Sequence, residues 1–206
     1  MIRGFLAIEL PPDLHARLST IQQDLKKHLE QAVDQARISW VRPTSIHLTL
    51  RFFGDMPEES IEPLRIGLER VASRHESLPM PIERIGVFPS RHQPRVLWAG
   101  PSESWHQGSE SKRLTALHRA IEDFCRASGF AWDTRSFNAH LTLARIKEGE
   151  RLVGRILESN EMMDRAVSGG ALPVERIALM QSEFNPSGSI YRKLWEVGIG
   201  DACQSE

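Results

Sequence analysis

The sequence has little of several things that would settle its class at once. Its 206 residues hold two cysteines, Cys125 and Cys203, with no C-x-x-C pair and no histidine placed to complete a zinc set. Neither a disulfide framework nor a thiolate metal site is therefore indicated, and a reducing compartment is expected. No stretch approaches the roughly 18 apolar residues of a membrane span. The N-terminal MIRGFLAIELPPD meets acid and proline too soon to form the core of a secretion signal, so the chain reads as cytoplasmic. Neither sign of charge dominates: 26 Lys and Arg against 27 Asp and Glu leave a net charge of -1, and any contact with a polyanion must be local. A G-x-S-x-G elbow and a phosphate-binding P-loop are both missing, which leaves serine hydrolase, NTPase and ATP-dependent ligase readings without support.

What remains is the balance of an ordinary globular chain, 40% hydrophobic and 26% charged, long enough to bury a core as one large domain or two joined lobes. Residues 3 to 10 read as a strand, stopped by Pro11-Pro12-Asp13, which also starts a helix over 14 to 33. Its apolar positions, Leu14, Leu18, Ile21, Leu25, Leu29 and Val33, follow helical period. A strand over 46 to 53, a helix over 58 to 74 and a strand over 81 to 88 complete a first half, and a strand over 95 to 99 opens the second. A helix around Leu114 to Phe124 ending near Gly129, a strand over 139 to 146, a helix over 150 to 166, and strands over 173 to 180 and 189 to 197 follow.

The order repeats because the sequence does. HLTL stands at 47 to 50 and again at 140 to 143, an offset of 140 − 47 = 93. PIERI at 81 to 85 returns as PVERI at 173 to 177, an offset of 173 − 81 = 92, and Trp40 and Trp132 lie nearly as far apart. A fixed offset carried by several landmarks signals duplication, too long for a solenoid and suited to two related lobes. The expected fold is α+β: one bilobal domain over 1–206, with pseudo-symmetric repeats at about 1–90 and 95–181 and a closing strand over 189–197. Each lobe would be a small antiparallel sheet with two helices on its outer face, and a cleft would lie between the lobes.

Side chains alternate along a strand, so Leu48 and Leu50 take one face while His47 and Thr49 take the other, and likewise Leu141 and Leu143 against His140 and Thr142. A single such pattern is most simply a solvated strand face. Retention of the polar letters at equivalent repeat positions favours a shared groove holding two imidazoles and two hydroxyls. Imidazole titrates near pH 6.5, which suits one acid and one base acting near neutrality, and threonine hydroxyls can donate to phosphate oxygens. Hydrolysis of a strained phosphodiester fits such a set, and no metal is required.

At these residues the chain resembles the 2H phosphoesterases, specifically the RNA 2',3'-cyclic phosphodiesterases also known as 2'-5' RNA ligases of the LigT type. The likeness runs through RGFLAIELP, SIHLTLRFFGD, GVFPSRHQPRVLWAG, HLTLARI and QSEFNPSGSIYRKLW. It implies hydrolysis of RNA or nucleoside 2',3'-cyclic phosphates to 2'-phosphates, with weak reversible 2'-5' ligation in some members, no cofactor, no membrane and no obligate protein partner. It further implies His47 as proton donor, His140 as proton acceptor, and Thr49 and Thr142 as phosphate ligands. Asn138-Ala139 before His140 departs from the proline often found there in relatives. Two alternatives stay open: a noncatalytic module that binds RNA ends, and the same chemistry on another cyclic phosphate or a 2'-5' oligonucleotide.

Secondary candidates follow from parity. Arg51 and Phe53 should share the groove face with His47 and are candidates for substrate binding; Arg145 is a further candidate if a bulge re-aims it, since strict alternation sends it to the opposite face. Ser182 is a candidate polar contact, Tyr191 and Trp195 are candidates for base stacking, and the turn Asn185-Pro186-Ser187-Gly188 is a candidate cleft lining. Histidines 15, 28, 75, 92, 106 and 118 show no ligand spacing and read as surface residues.

Overall fold

The computed structural model describes residues 1–200 except 33, 132, 134, 135, 186 and 187. In chain order the elements are β1 (Ile2–Glu9), α1 (Pro12–Leu29), β2 (Arg37–Trp40), β3 (His47–Met56), α2 (Ile61–Ala72), β4 (Leu78–Pro81), β5 (Arg84–Phe88), β6 (Val96–Gly100), α3 (Ser109–Ala127), β7 (Leu141–Glu148), α4 (Glu150–Ser159), β8 (Ala171–Val174), β9 (Arg176–Asn185) and β10 (Gly188–Gly198). The α+β class and antiparallel pairing are as the sequence predicts. Two expected strands are each broken at a P-x-E-R-I landmark. Pro81 ends β4 and Arg84 begins β5, while Val174 ends β8 and Arg176 begins β9, so the landmark is a corner. The predicted Val33 end of the first helix, Trp132, and Pro186 and Ser187 of the late turn lie outside the described residues.

Eight strands form one antiparallel sheet in the order β10-β9-β1-β3-β7-β6-β5, with β2 also paired to β7. One wing is β10-β9-β1-β3 and the other is β7-β6-β5 with β2. The seam between β3 and β7 is a single pair, Leu48 with Leu141. These are the same letter of the two motifs, 141 − 48 = 93 apart, and an antiparallel pair of equivalent residues can sit only on a local twofold axis. The second ladder agrees: β4 pairs with β8 through Leu78–Val174, Pro79–Pro173, Met80–Leu172 and Pro81–Ala171, again two equivalent segments facing each other.

The wings differ from the two sequence halves, which corrects the simpler picture of one lobe per half. β9, from the second half, lies beside β1, and β5, from the first, lies beside β6. Helices cross over as well: α2 packs on α3 and on β10, while α1 packs on α4. Each half thus completes its core with elements of the other.

Alternation then sorts the faces. Leu6, Ile8, Leu48, Leu141, Ile177 and Leu179, all at most 1% exposed, turn towards the helices. Fully burying one such side chain contributes about 1.5–3 kcal/mol. On the opposite face Phe5, Ala7, Ala178 and Met180 form a smaller apolar floor, with Phe52 and Tyr191 against it.

Candidate active site

The seam pair carries the site. With Leu48 and Leu141 pointing into the core, their neighbours project from the other face, His47 across from Thr142 and Thr49 across from His140. One recess is lined by Arg3, Phe5, His47, Thr49, Phe52, Thr142, Arg145, Ser182 and Tyr191, among others. A second holds His140 with Thr49, Phe52, Thr142 and Arg145. Four residues are common to both recesses, so they are two ends of one groove.

Each imidazole is held in the same way. His47 Nδ1 lies 2.9 Å from the Ser45 carbonyl and His140 Nδ1 lies 2.7 Å from the Asn138 carbonyl, both two residues upstream. A carbonyl only accepts, so Nδ1 carries the proton and Nε2 is the nitrogen free to exchange one. Aromatic rings hold the imidazoles from the side. Phe5 lies 4.8 Å and Tyr191 5.2 Å from His47, ring centre to ring centre, and Phe88 lies 5.1 Å from His140. Trp98 adds a 6.4 Å edge contact to His140, and it can lie flat because Gly86 has no Cβ: one built there would stand 2.1 Å from the indole.

Desolvation by burial pushes both histidines below their ordinary range, and the Arg145 cation lowers both further. For His47 the Ser45 carbonyl and the Glu9 carboxylate work the other way, while the charge of His140 lowers it again. His140 has the Asn138 carbonyl as its raising influence.

Arg145 reaches the groove because the strand is bulged. Along β7, Trp98 pairs with Thr142 but Leu97 pairs with Ala144, leaving Leu143 as the extra residue. β3 has the same irregularity at the equivalent residue: Ala7 pairs with Thr49 but Leu6 with Arg51, leaving Leu50 extra. Parity flips after each bulge. It re-aims three side chains. Arg51, expected on the open groove face, is 3% exposed: its guanidinium bonds to the Glu122 carboxylate and the Ala131 carbonyl, and it borders the groove only at the His140 end. Phe53 packs on Phe130 at 4.7 Å, and Phe52 takes the groove position instead. Arg145, expected on the far face in an unbroken strand, lines the groove.

Ser182 and Tyr191 also line the groove, whereas Trp195 packs on the main core and donates from Nε1 to the Ile61 carbonyl at 3.2 Å. His118 departs from its surface reading. It is half-buried, stacked on Phe137 at 4.1 Å, and donates to the Leu50 carbonyl; burial lowers its pKa. Phe5, Phe52, Phe88, Trp98 and Glu9 were not singled out in the sequence. The offset of 93 could have found Phe52, because 52 + 93 = 145 makes it the counterpart of Arg145. Among the described residues, no group of three or more His, Cys, Asp or Glu side chains is placed to hold a metal ion.

Two H-x-T-x motifs meeting at the seam of a two-winged antiparallel sheet are the arrangement of the 2H phosphoesterases. A family model described as LigT like Phosphoesterase matches residues 8–98 and 107–191, and the chain belongs to that family. It is 29% identical over 190 residues to an RNA 2',3'-cyclic phosphodiesterase of Methanothermobacter thermautotrophicus, covering 92% of this chain and 95% of the relative. A protein of the same name from Aeropyrum pernix is 34% identical over 158 residues, 76% of this chain and 84% of its own. Among solved structures, TT0787 of Thermus thermophilus superposes with a TM-score of 0.71 at 26% identity, over 97% of this chain and 98% of that one. E. coli LigT complexed with 3'-AMP gives 0.72 at 21% identity, over 96% and 98%, a likeness of fold.

Proposed function

We propose that this groove hydrolyses 2',3'-cyclic phosphates at RNA ends or on nucleosides to 2'-phosphates, in the cytoplasm. The observation that carries the reading is the Leu48–Leu141 seam pair, which sets one histidine and one threonine from each motif around a common recess. Relatives named RNA 2',3'-cyclic phosphodiesterase support the substrate class.

In the proposed mechanism His140 Nε2 takes a proton from water as its oxygen attacks phosphorus, and protonated His47 Nε2 gives its proton to O3' as the P–O3' bond breaks. The products are a 2'-phosphate and a free 3'-hydroxyl. One proton is taken up and one released, so exchange with solvent resets the pair. Glu9, which favours protonation of His47, supports that residue as the acid. The Thr49 and Thr142 hydroxyls donate to the non-bridging oxygens, and Arg145 opposes the charge that accumulates there. Phe5, Phe52 and Tyr191 give a wall on which a base or ribose can rest, and Ser182 adds a polar contact.

The test is turnover of a nucleoside 2',3'-cyclic phosphate in excess EDTA, with the product isomer identified. Metal-independent formation of the 2'-phosphate is expected. No turnover, a 3'-phosphate product, or loss of activity with EDTA would each overturn a stated part of the reading.

A further inference from the structure

Each of the bulges that aim Phe52 and Arg145 has its backbone carbonyl met by a side chain from a helix. His118 of α3 donates to Leu50, the bulged residue of the first motif. For the second motif the donor is Gln22 of α1, whose amide Nε2 lies 2.9 Å from the Leu143 carbonyl and 2.8 Å from the Val41 carbonyl. The Val41 amide also donates to Leu143, at 2.9 Å.

Gln22 is out of keeping with its helix. The buried stripe of α1 is Leu14, Leu18, Gln22, Leu25 and Leu29, an apolar row with one amide in it, and that amide is 2% exposed. An apolar residue would satisfy the helix and the core. A primary amide at this point is desolvated, and only its two hydrogen bonds offset that cost. Both bonds end at one place, the bulged residue and the chain segment paired beside it. Without the bulge, alternation from Thr142 would put Ala144 in the groove and turn Arg145 towards the core.

We propose that Gln22 is a positioning residue for Arg145, holding the Leu143 bulge so that the guanidinium points into the groove. The proposal rests on the assignment of Arg145 to the phosphate, and it can be judged without turnover. Arg145 depresses the pKa of both His47 and His140, so any movement of its charge is readable from the two imidazoles.

The experiment is an NMR titration of His47 and His140, with inorganic phosphate binding followed on the same signals. The proteins compared are wild type, Gln22→Met, Arg145→Ala and the double variant. Gln22→Met is expected to raise both histidine pKa values in the same direction as Arg145→Ala, and to weaken phosphate binding by on the order of 10- to 10²-fold. It should add nothing in the Arg145→Ala background. Gln22→Asn keeps the amide but is too short to reach both carbonyls, and serves if the methionine variant does not fold; it should move the same signals less far. A folded variant with wild-type histidine titration and phosphate affinity, or an equal effect without Arg145, overturns the proposal. Failure of cyclic phosphate hydrolysis with these shifts present would refute the substrate reading and leave the role of Gln22 standing.

Discussion

The two motifs share four letters and a bulge, but their surroundings differ in kind. In the first, the residue after the bulge is Arg51, buried against Glu122, and the bulge carbonyl takes a bond from His118. In the second, the equivalent residue is Ala144, and the bulge carbonyl takes bonds from Gln22 and Val41. A buried ion pair stands beside the first bulge and a neutral amide beside the second. On the groove side the difference reverses: the first motif presents the Phe52 ring and the second the Arg145 cation. A duplicated backbone therefore holds a symmetric set of two histidines and two threonines inside an asymmetric field. That asymmetry distinguishes the two imidazoles, since Glu9 acts on His47 while Arg145 lowers both.

The comparison breaks most visibly at the histidines. His47→Ala and His140→Ala are each expected to reduce kcat by on the order of 10² to 10⁴ while leaving the fold intact, as circular dichroism and single-turnover hydrolysis would show. If one of them retains wild-type turnover, the site is not divided between the motifs.

The two arginines should separate cleanly. Arg51→Ala leaves Glu122 as an uncompensated buried charge and is expected to lower stability by about 3–5 kcal/mol in urea unfolding. Arg145→Ala should leave stability within about 0.5 kcal/mol. It should also lower kcat/KM and move the pH optimum upward, because a cation that depresses both imidazoles has gone. Reversed results, with Arg51 controlling the pH profile, would mean that the bulge does not set which side chain meets substrate.

The threonines sharpen the symmetry at a smaller scale. Thr49→Val and Thr142→Val each remove one hydrogen bond to a charged phosphate, about 1.5–3 kcal/mol. The losses in kcat/KM should be similar for the two. A large inequality would show that the asymmetric field extends to the phosphate itself.

Much of this arrangement was legible in the sequence. Alternation made His47, Thr49, His140 and Thr142 share a face, and the offset of 93 tied the two motifs together. Two things could not be read there. A bulge depends on which partner strand takes which register, so unbroken parity put Phe53 in the groove and Arg51 in the open where it is buried against Glu122, and Arg145 could be kept as a candidate only on condition of a bulge. The exchange of β5 and β9 between wings leaves no local mark either, because both strands keep the same pattern whichever neighbour they join. His118 and Gln22 were hidden for a related reason: each meets the carbonyl of a bulged residue, and the bulge has no mark in the sequence.

The pH dependence of kcat/KM, compared in wild type and the two histidine variants, tests the divided acid-base site most directly. Burial holds both imidazoles low, so the wild-type profile is expected to be bell-shaped with its maximum below pH 6.5, the ordinary value for histidine. Activity falls on the acid side as the base is protonated and on the alkaline side as the acid loses its proton. Residual activity of His140→Ala should lose the acid-side fall, and that of His47→Ala the alkaline-side fall. A variant that keeps both limbs would contradict the account.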